Sequence, residues 1–200
     1  MSEPHIRAAT AADTDRVYEI CRRTAAAGED GSHLYSDPRM PGYLYSAAYL
    51  KLQPDCAFVL DIDGQAAGYV IGTPDTAAFE ARLLDEWWPW VRRQTEGMQI
   101  SRPKDQMAAD RIARPRAQAP GILADYPAHL HINLLPQAQS GGWGRRMIET
   151  QLENMRRRGV SGLHLGLDPD NHRAAGFYRH IGFTDISPAD QMIYGIRLDG

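Results

Sequence analysis

Between Ala128 and Gly159 the chain changes its period twice, and that succession dictates most of what it can fold into. AHLHINLL alternates, with Leu130, Ile132 and Leu134 on one face and His129, His131 and Asn133 on the other, as a strand in a sheet does. LPQAQSGGWGRR follows, and from Arg145 to Arg158 the residues Met147, Ile148, Leu152 and Met155 recur at helical spacing, closed by Gly159. VSGLHLGLD reads as a second strand. Strand, helix and strand in this order imply parallel pairing with a crossover helix.

The first half has the opposite character. CAFVLDIDGQAAGYVIGTPD holds two β-rich runs separated by Asp63-Gly64, the sequence form of a tight antiparallel hairpin. Ahead of it lie a short extended lead-in from Arg7, a helix carrying Val17, Ile20 and Cys21 on one face with Asp13 as its N-cap, and a turn-rich segment with breakers at Asp37-Pro38 and Pro41-Gly42. A second short helix is expected over Tyr43 to Leu52. Thr76 to about Gln94 is helical in pattern, with Pro89 expected to kink or end it; a polar segment to Pro120 follows, with one helix expected at Asp105 to Ala113. NHRAAGFYRHIGF closes the chain's helices and QMIYGIRL its strands. The expected fold is α/β, or α+β, in three layers: a mixed, mostly antiparallel sheet with one parallel βαβ unit and helices on both faces.

The 200 residues, 43% of them hydrophobic, suffice for one domain, with a helical or irregular insertion at about 76–127. The net charge of -3, with both signs interspersed, gives no basic field for nucleic acid. Apolar runs fall short of the ~20 residues a membrane span needs. Cys21 and Cys56 lack metal-ligand spacing, and the start of the chain has no signal-peptide pattern, so the expectation is a soluble cytoplasmic protein with reduced thiols and no metal.

A strand ending in glycines that open a helix leaves backbone N–H groups unpaired at the positive end of the helix dipole, where an anion binds. It is equally the form of a turn that needs unusual dihedrals. A lysine followed by serine or threonine is missing, and so is GxGxxG, which excludes a P-loop and a dinucleotide fingerprint. What remains is Gln139, Ser140, Gly141, Gly142, Trp143 and Gly144 after an alternating strand and Pro136, then Asn171-His-Arg-Ala174-Ala-Gly-Phe177-Tyr178 with Gly182-Phe183 downstream.

Together these two stretches resemble the pyrophosphate loop and the Asn-x-x-Ala-x-x-Phe-Tyr element of the GNAT acetyltransferase superfamily, strongly from Ala128 to Phe183 and through element order elsewhere. More narrowly, LYSDPRMPGYLYSAAYL, the paired tryptophans and LDPDNHRAAGFY are similar to the acetyltransferase-like domain of eukaryotic O-GlcNAcases and its free-standing bacterial relatives. Nothing in the chain resembles that enzyme's glycosidase carboxylates.

The resemblance implies that the strand before the loop splays from its neighbour and pairs with the pantetheine arm of acetyl-CoA, at Leu134 and Leu135. It puts the pyrophosphate on the N–H groups from Gln139 to Gly144, with Arg145 or Arg146 beside it, and Asn171, Ala174 and Phe177 against the cofactor. Tyr178 would be the general acid that protonates the departing thiolate, or a tyrosine that only hydrogen-bonds. The base that frees the attacking amine is not named by any motif; His131, His129, Asp168 and Asp170 are the candidates, each also readable as structural. Glu29, Asp30, His33 and Asp37 either line the acceptor side or form a solvated loop.

Trp87, Trp88 and Trp90 would cover the acceptor site, make a subunit contact or fill the core, and Arg111, Arg114 and Arg116 would meet an acidic acceptor, a 3′-phosphate or solvent. The implied activity is acetyl transfer to a primary amine of a small molecule or peptide, by a monomer or homodimer. The competing reading is an acetyl-CoA-binding module without turnover.

Overall fold

The computed structural model describes residues 3–189 and 191–198. Its strands are β1 His5–Ala8, β2 Ala57–Ile62, β3 Gln65–Thr73, β4 Ala128–Leu134, β5 Gly162–Leu167, β6 Thr184–Asp185 and β7 Met192–Arg197. They form a seven-stranded sheet in the order β1-β2-β3-β4-β5-β7-β6. All neighbours are antiparallel except β4 and β5, as the change of period implied. The β2–β3 hairpin turns on Asp63 (φ 53°) and Gly64 (φ 81°), and the Gly64 N–H donates to Asp61 Oδ1 at 2.8 Å. Two residues in the left-handed region match the right-handed twist of the flanking strands, which is why Asp-Gly works there.

Helices cover both faces. On one side α1 Thr14–Arg23, α2 Met40–Tyr45, α3 Ala47–Leu52, α4 Thr76–Arg82, α5 Trp88–Gln94 and α6 Asp105–Ala113 enclose a core that includes Val17, Ile20, Tyr69, Ile71 and Val91. The short α7 Pro120–Asp125 leads into β4. On the other side α8 Trp143–Arg157 and α9 His172–His180 press Met147, Ile148, Met155 and Ala175 against Leu60, Val70, Leu130 and Leu163. Cys21 and Cys56 are free thiols, both buried. Among the described residues, no helix is long and apolar enough to cross a membrane.

Several local expectations change. Asp13 stands at the N-cap position of α1, but its carboxylate turns back to accept from the Thr10 N–H at 2.8 Å and from both terminal nitrogens of Arg7, each at 2.8 Å. These charge-assisted bonds, the Arg7 ones foremost, hold its pKa at about 2. Pro89 neither ends nor breaks its helix. A π turn at Leu83–Trp87 precedes it, with the Trp88 N–H reaching the Leu83 carbonyl. The chain stays helical through the proline as α5, in which Pro89 takes one of the first two positions, where its missing N–H costs least.

Trp87 and Trp88 are 3% and 5% exposed, the Trp87 indole donates to the Tyr43 carbonyl at 2.9 Å, and Trp90 packs half-buried against the same core, so the tryptophans help fill the core, while Trp87 and Trp88 also line the central cavity. The helix expected at Asp105 to Ala113 is present as α6, anchored by a fully buried Asp105 that accepts from the Ser36 N–H (2.8 Å) and hydroxyl (2.5 Å) and from the Ser101 (3.0 Å) and Arg102 (2.8 Å) N–H groups. The brief β6 and α7 carry too few residues for a periodic signal.

Candidate functional site

Parallel pairing between β4 and β5 is confined to Ala128 with Leu163 and His129 with His164. Beyond that point the strands part. The Leu135 N–H donates to the Ala67 carbonyl at 2.9 Å, and antiparallel pairs alternate, so the N–H and C=O groups of Ile132 and Leu134 turn away from β3 into the gap. Sequence reasoning missed Ile132, although its place two residues before Leu134 on an alternating strand is the available signal. Leu135, by contrast, does not fit the pairing expected of it. Its N–H is taken by Ala67, its carbonyl accepts from Ala138 at 2.8 Å, and its side chain is fully buried. The chain turns into the Pro136–Ala138 helical turn there and has left the strand edge.

The glycine stretch is a built concavity. Gly141 (φ 71°) and Gly142 (φ 75°) lie in the left-handed region, and a Cβ added at Gly142 would meet nothing within 4 Å. The opening therefore stays clear in front of the first turn of α8. The backbone N–H groups of Ser140 through Arg145 have no acceptor within the described residues. Gln139 spans the mouth of the gap, its amide donating to the Leu134 carbonyl at 3.0 Å while its oxygen accepts from Arg173 at 3.4 Å. The two arginines expected beside the loop are engaged elsewhere: Arg145 binds Glu149 at 2.7 Å, and Arg146 lies 4.7 Å over the Trp143 ring.

Asn171 caps α9, its oxygen accepting from the Ala174 N–H at 3.0 Å while its amide reaches the Ala27 carbonyl at 3.4 Å. One turn on, Ala174 and Tyr178 line the gap, and Phe177 packs half-buried beside Gly144. Tyr178 is 6% exposed, and burial raises its pKa well above the ordinary value, so the phenol remains protonated. Its hydroxyl has no protein partner among the described residues. Asp168, exposed at the end of β5, accepts the Asp170 N–H at 3.1 Å and shapes the turn into α9. Of the loop between α1 and α2, none of Glu29, Asp30, His33 or Asp37 lines the cavity; Asp30 and Asp37 brace their own turns through Ser32 and Arg39.

A cavity of about 760 Å³ runs through the gap from Gln139, at the start of the glycine loop, to the opposite side of the sheet. There the histidine face of β4 meets α3 and α4. His129 bonds at both ring nitrogens, Nε2 with the Tyr49 hydroxyl at 2.5 Å and Nδ1 with Thr76 Oγ1 at 2.8 Å. Thr76 has one proton, and the Pro127 carbonyl at 2.7 Å takes it. Thr76 must therefore accept from Nδ1–H, which leaves Nε2 to accept from Tyr49. The direction of the whole chain follows: Tyr49 to His129 to Thr76 to Pro127. Burial pushes the pKa of His129 far below its ordinary range, and this arrangement suits a neutral ring.

His131 makes no hydrogen bond within the described residues. It faces the cavity 5.5 Å from the Tyr49 ring, and burial, with the nearby Arg111 charge, lowers its pKa to about 4. Tyr49 and Thr76 had no motif to announce them, and only the residue-to-residue contacts do; Arg111, one of the three arginines expected to meet an acidic acceptor, a 3′-phosphate or solvent, lines the cavity.

A model of the acetyltransferase (GNAT) family matches residues 116–183, which include β4, the glycine loop, α8, β5 and α9. The crystal structure of SsHAT is 38% identical, and the superposition covers 100% of both chains with a TM-score of 0.91. The chain belongs to the GNAT acetyltransferase family. The protein O-GlcNAcase of Rattus norvegicus is 24% identical over 193 residues, 92% of this chain and 21% of that protein. This GNAT chain thus spans about a fifth of that relative's length. The PaiA N-acetyltransferase of Thermoplasma acidophilum, solved in complex with coenzyme A, shares the fold at 12% identity, with a TM-score of 0.59 over 98% of this chain and 99% of that one.

Proposed function

We propose that the chain transfers an acetyl group from acetyl-CoA to a primary amine by direct attack, with Tyr178 as the general acid. The observation that carries this reading is the coincidence of two unsatisfied backbone surfaces at one opening. The strand edge at Ile132, continued by the Leu134 N–H where Gln139 holds the carbonyl, suits the amide-bearing pantetheine arm, and the free N–H groups of Ser140 to Arg145 suit a pyrophosphate. The left-handed glycines keep side chains out of the path between them. In this assignment Leu134, Gln139, Ser140, Gly141, Gly142, Trp143 and Gly144 hold the cofactor, while Ala174 and Phe177 pack against it. Asn171 contributes by capping α9 rather than through a free amide.

When bound, acetyl-CoA supplies the activated thioester. The protein's part is to hold it in the gap, exclude water and provide a proton. Tyr178 is buried, protonated and beside the gap, which is what donation to a departing sulfur requires. His131 is the group best placed to accept a proton from the amine, because its ring is neutral and carries no other bond. Asp168 serves the turn instead.

A second reading, binding without turnover, draws on the same His131: a ring with a pKa of about 4 is a weak base. Thiol release from acetyl-CoA in the presence of an amine panel separates the two. Amine-dependent release, slowed in Tyr178→Phe, supports transfer; cofactor binding with no amine-dependent release from any member favours the binding module.

A further inference from the structure

The cavity wall opposite the glycine loop has a charge that the whole chain does not. The net charge is -3, yet Lys104, Arg111 and Arg116 all face this cavity, and none forms an ion pair or a side-chain hydrogen bond with a described residue. Arg111 lies 5.3 Å over the Tyr45 ring, near enough for its charge to act on His131 and Glu80. The side-chain amide nitrogen of Gln118, in the same wall, is buried with no acceptor. Donors outnumber acceptors here, and the available acids do not redress the balance. The Glu80 carboxylate already takes the Gln118 N–H at 2.9 Å, and burial raises its pKa against the opposing pull of Arg111. The other acid on the cavity, Asp168, is bonded to its own turn.

All three cations and Gln118 come from the segment between β3 and β4, on the histidine side of the sheet. The glycine loop lies at the other end of the opening. An anionic group brought into this wall would satisfy them. We propose that it is the subsite for a carboxylate carried by the acceptor, so that the acceptor is an amino acid and not a diamine or a lysine side chain, with Arg111 as the residue that reads it. This rests on the acetyl-transfer reading above. The planar guanidinium of Arg111, held over an aromatic ring, presents a fork that matches the two oxygens of a carboxylate, and phosphoethanolamine in the test below separates a phosphate from it.

The test is kcat/KM for thiol release from acetyl-CoA with each of the twenty amino acids and with its carboxamide, which has nearly the same size and no negative charge. Phosphoethanolamine and 1,6-diaminohexane run beside them, and acetyl-CoA affinity is measured independently by calorimetry. At least one amino acid should exceed its carboxamide by tenfold or more. Arg111→Gln should erase that preference by raising KM with kcat nearly unchanged, and Arg111→Lys should restore part of it. Equal use of the two forms, a preference that survives Arg111→Gln, better turnover of the diamine or of phosphoethanolamine, or turnover of no probe overturns the proposal. If acetyl-CoA still binds in that event, only the acceptor assignment falls; if it does not, the cofactor reading falls with it.

Discussion

The two ends of the cavity are built by different means. The glycine-loop end is backbone: left-handed dihedrals at Gly141 and Gly142, free N–H groups at the start of α8 and a parted strand edge at Ile132 and Leu134. The histidine end is side chains brought from afar. Tyr49 reaches His129 across 80 residues of sequence, Trp87 reaches the Tyr43 carbonyl across 44, and behind the wall Ser36 reaches Asp105, which anchors the helix α6 that carries Arg111, across 69. A ligand held by backbone needs a local conformation, which neighbouring residues can specify. A pocket made of side chains needs the whole fold to assemble first. The difference teaches that the half common to the family is local, and that the half expected to select an acceptor is not.

The strongest way to break this comparison is Gly142→Leu. A left-handed residue with a Cβ costs only about 1–2 kcal/mol, so the fold should survive in circular dichroism. The side chain would fill the open space in front of α8, and acetyl-CoA affinity should fall by about a thousandfold or more, the loss of several charge-assisted bonds. Undiminished affinity would mean that the loop is only a turn.

Asp105→Ala attacks the other end. It leaves the Ser36, Ser101 and Arg102 donors without their acceptor and should destabilise the chain by about 3 kcal/mol, read by urea unfolding. At temperatures where the variant stays folded, acetyl-CoA affinity should be nearly unchanged while amine-dependent turnover drops. Cofactor binding lost in step with turnover would show that the two ends are not independent.

Tyr178→Phe sharpens the chemistry between them. It should lower kcat by about a hundredfold with little change in acetyl-CoA affinity, the usual scale of a lost general acid. An unchanged kcat would move the proton donor to another group.

The smallest effect concerns acid. Burial alone would raise the pKa of Asp105, but its four donors outweigh burial and bring it from an ordinary 3.8 to about 2. A depressed carboxylate stabilises the fold above its unfolded pKa and loses that contribution as pH falls through the folded one. The melting temperature should therefore decline between pH 4 and pH 2, and less steeply in Asp105→Asn. Asp13, also held at about 2, keeps a residual slope in the variant. Identical acid slopes in the two proteins would remove Asp105 from the account.

What the sequence disclosed follows the same division. The alternation of His129 to Leu134, the Asp63-Gly64 hairpin and α8 were legible because each depends on residues within one or two turns of itself; Asn171 was expected against the cofactor, and its cap on α9 was not foreseen. Where the reading failed, a longer-range fact decided. Asp13 was drawn away from its helix by Arg7, which also binds Asp61. Pro89 takes one of the first two positions of α5, after a π turn that no residue pattern marks. Leu135 lies one residue past the strand edge, a distinction that period-two reasoning does not resolve. Arg145, expected with Arg146 beside the pyrophosphate, pairs with Glu149 one turn later on the exposed face of α8. Tyr49 and Thr76 carry no local sign that they orient His129.

Calorimetric titration of the wild-type chain with acetyl-CoA, with Gly142→Leu as the control, tests the central claim most directly. The account predicts saturable binding at one site per chain, lost in the variant. The absence of heat with the wild-type protein, or equal binding by both, would contradict the assignment of the parted strands and the glycine loop as one cofactor site.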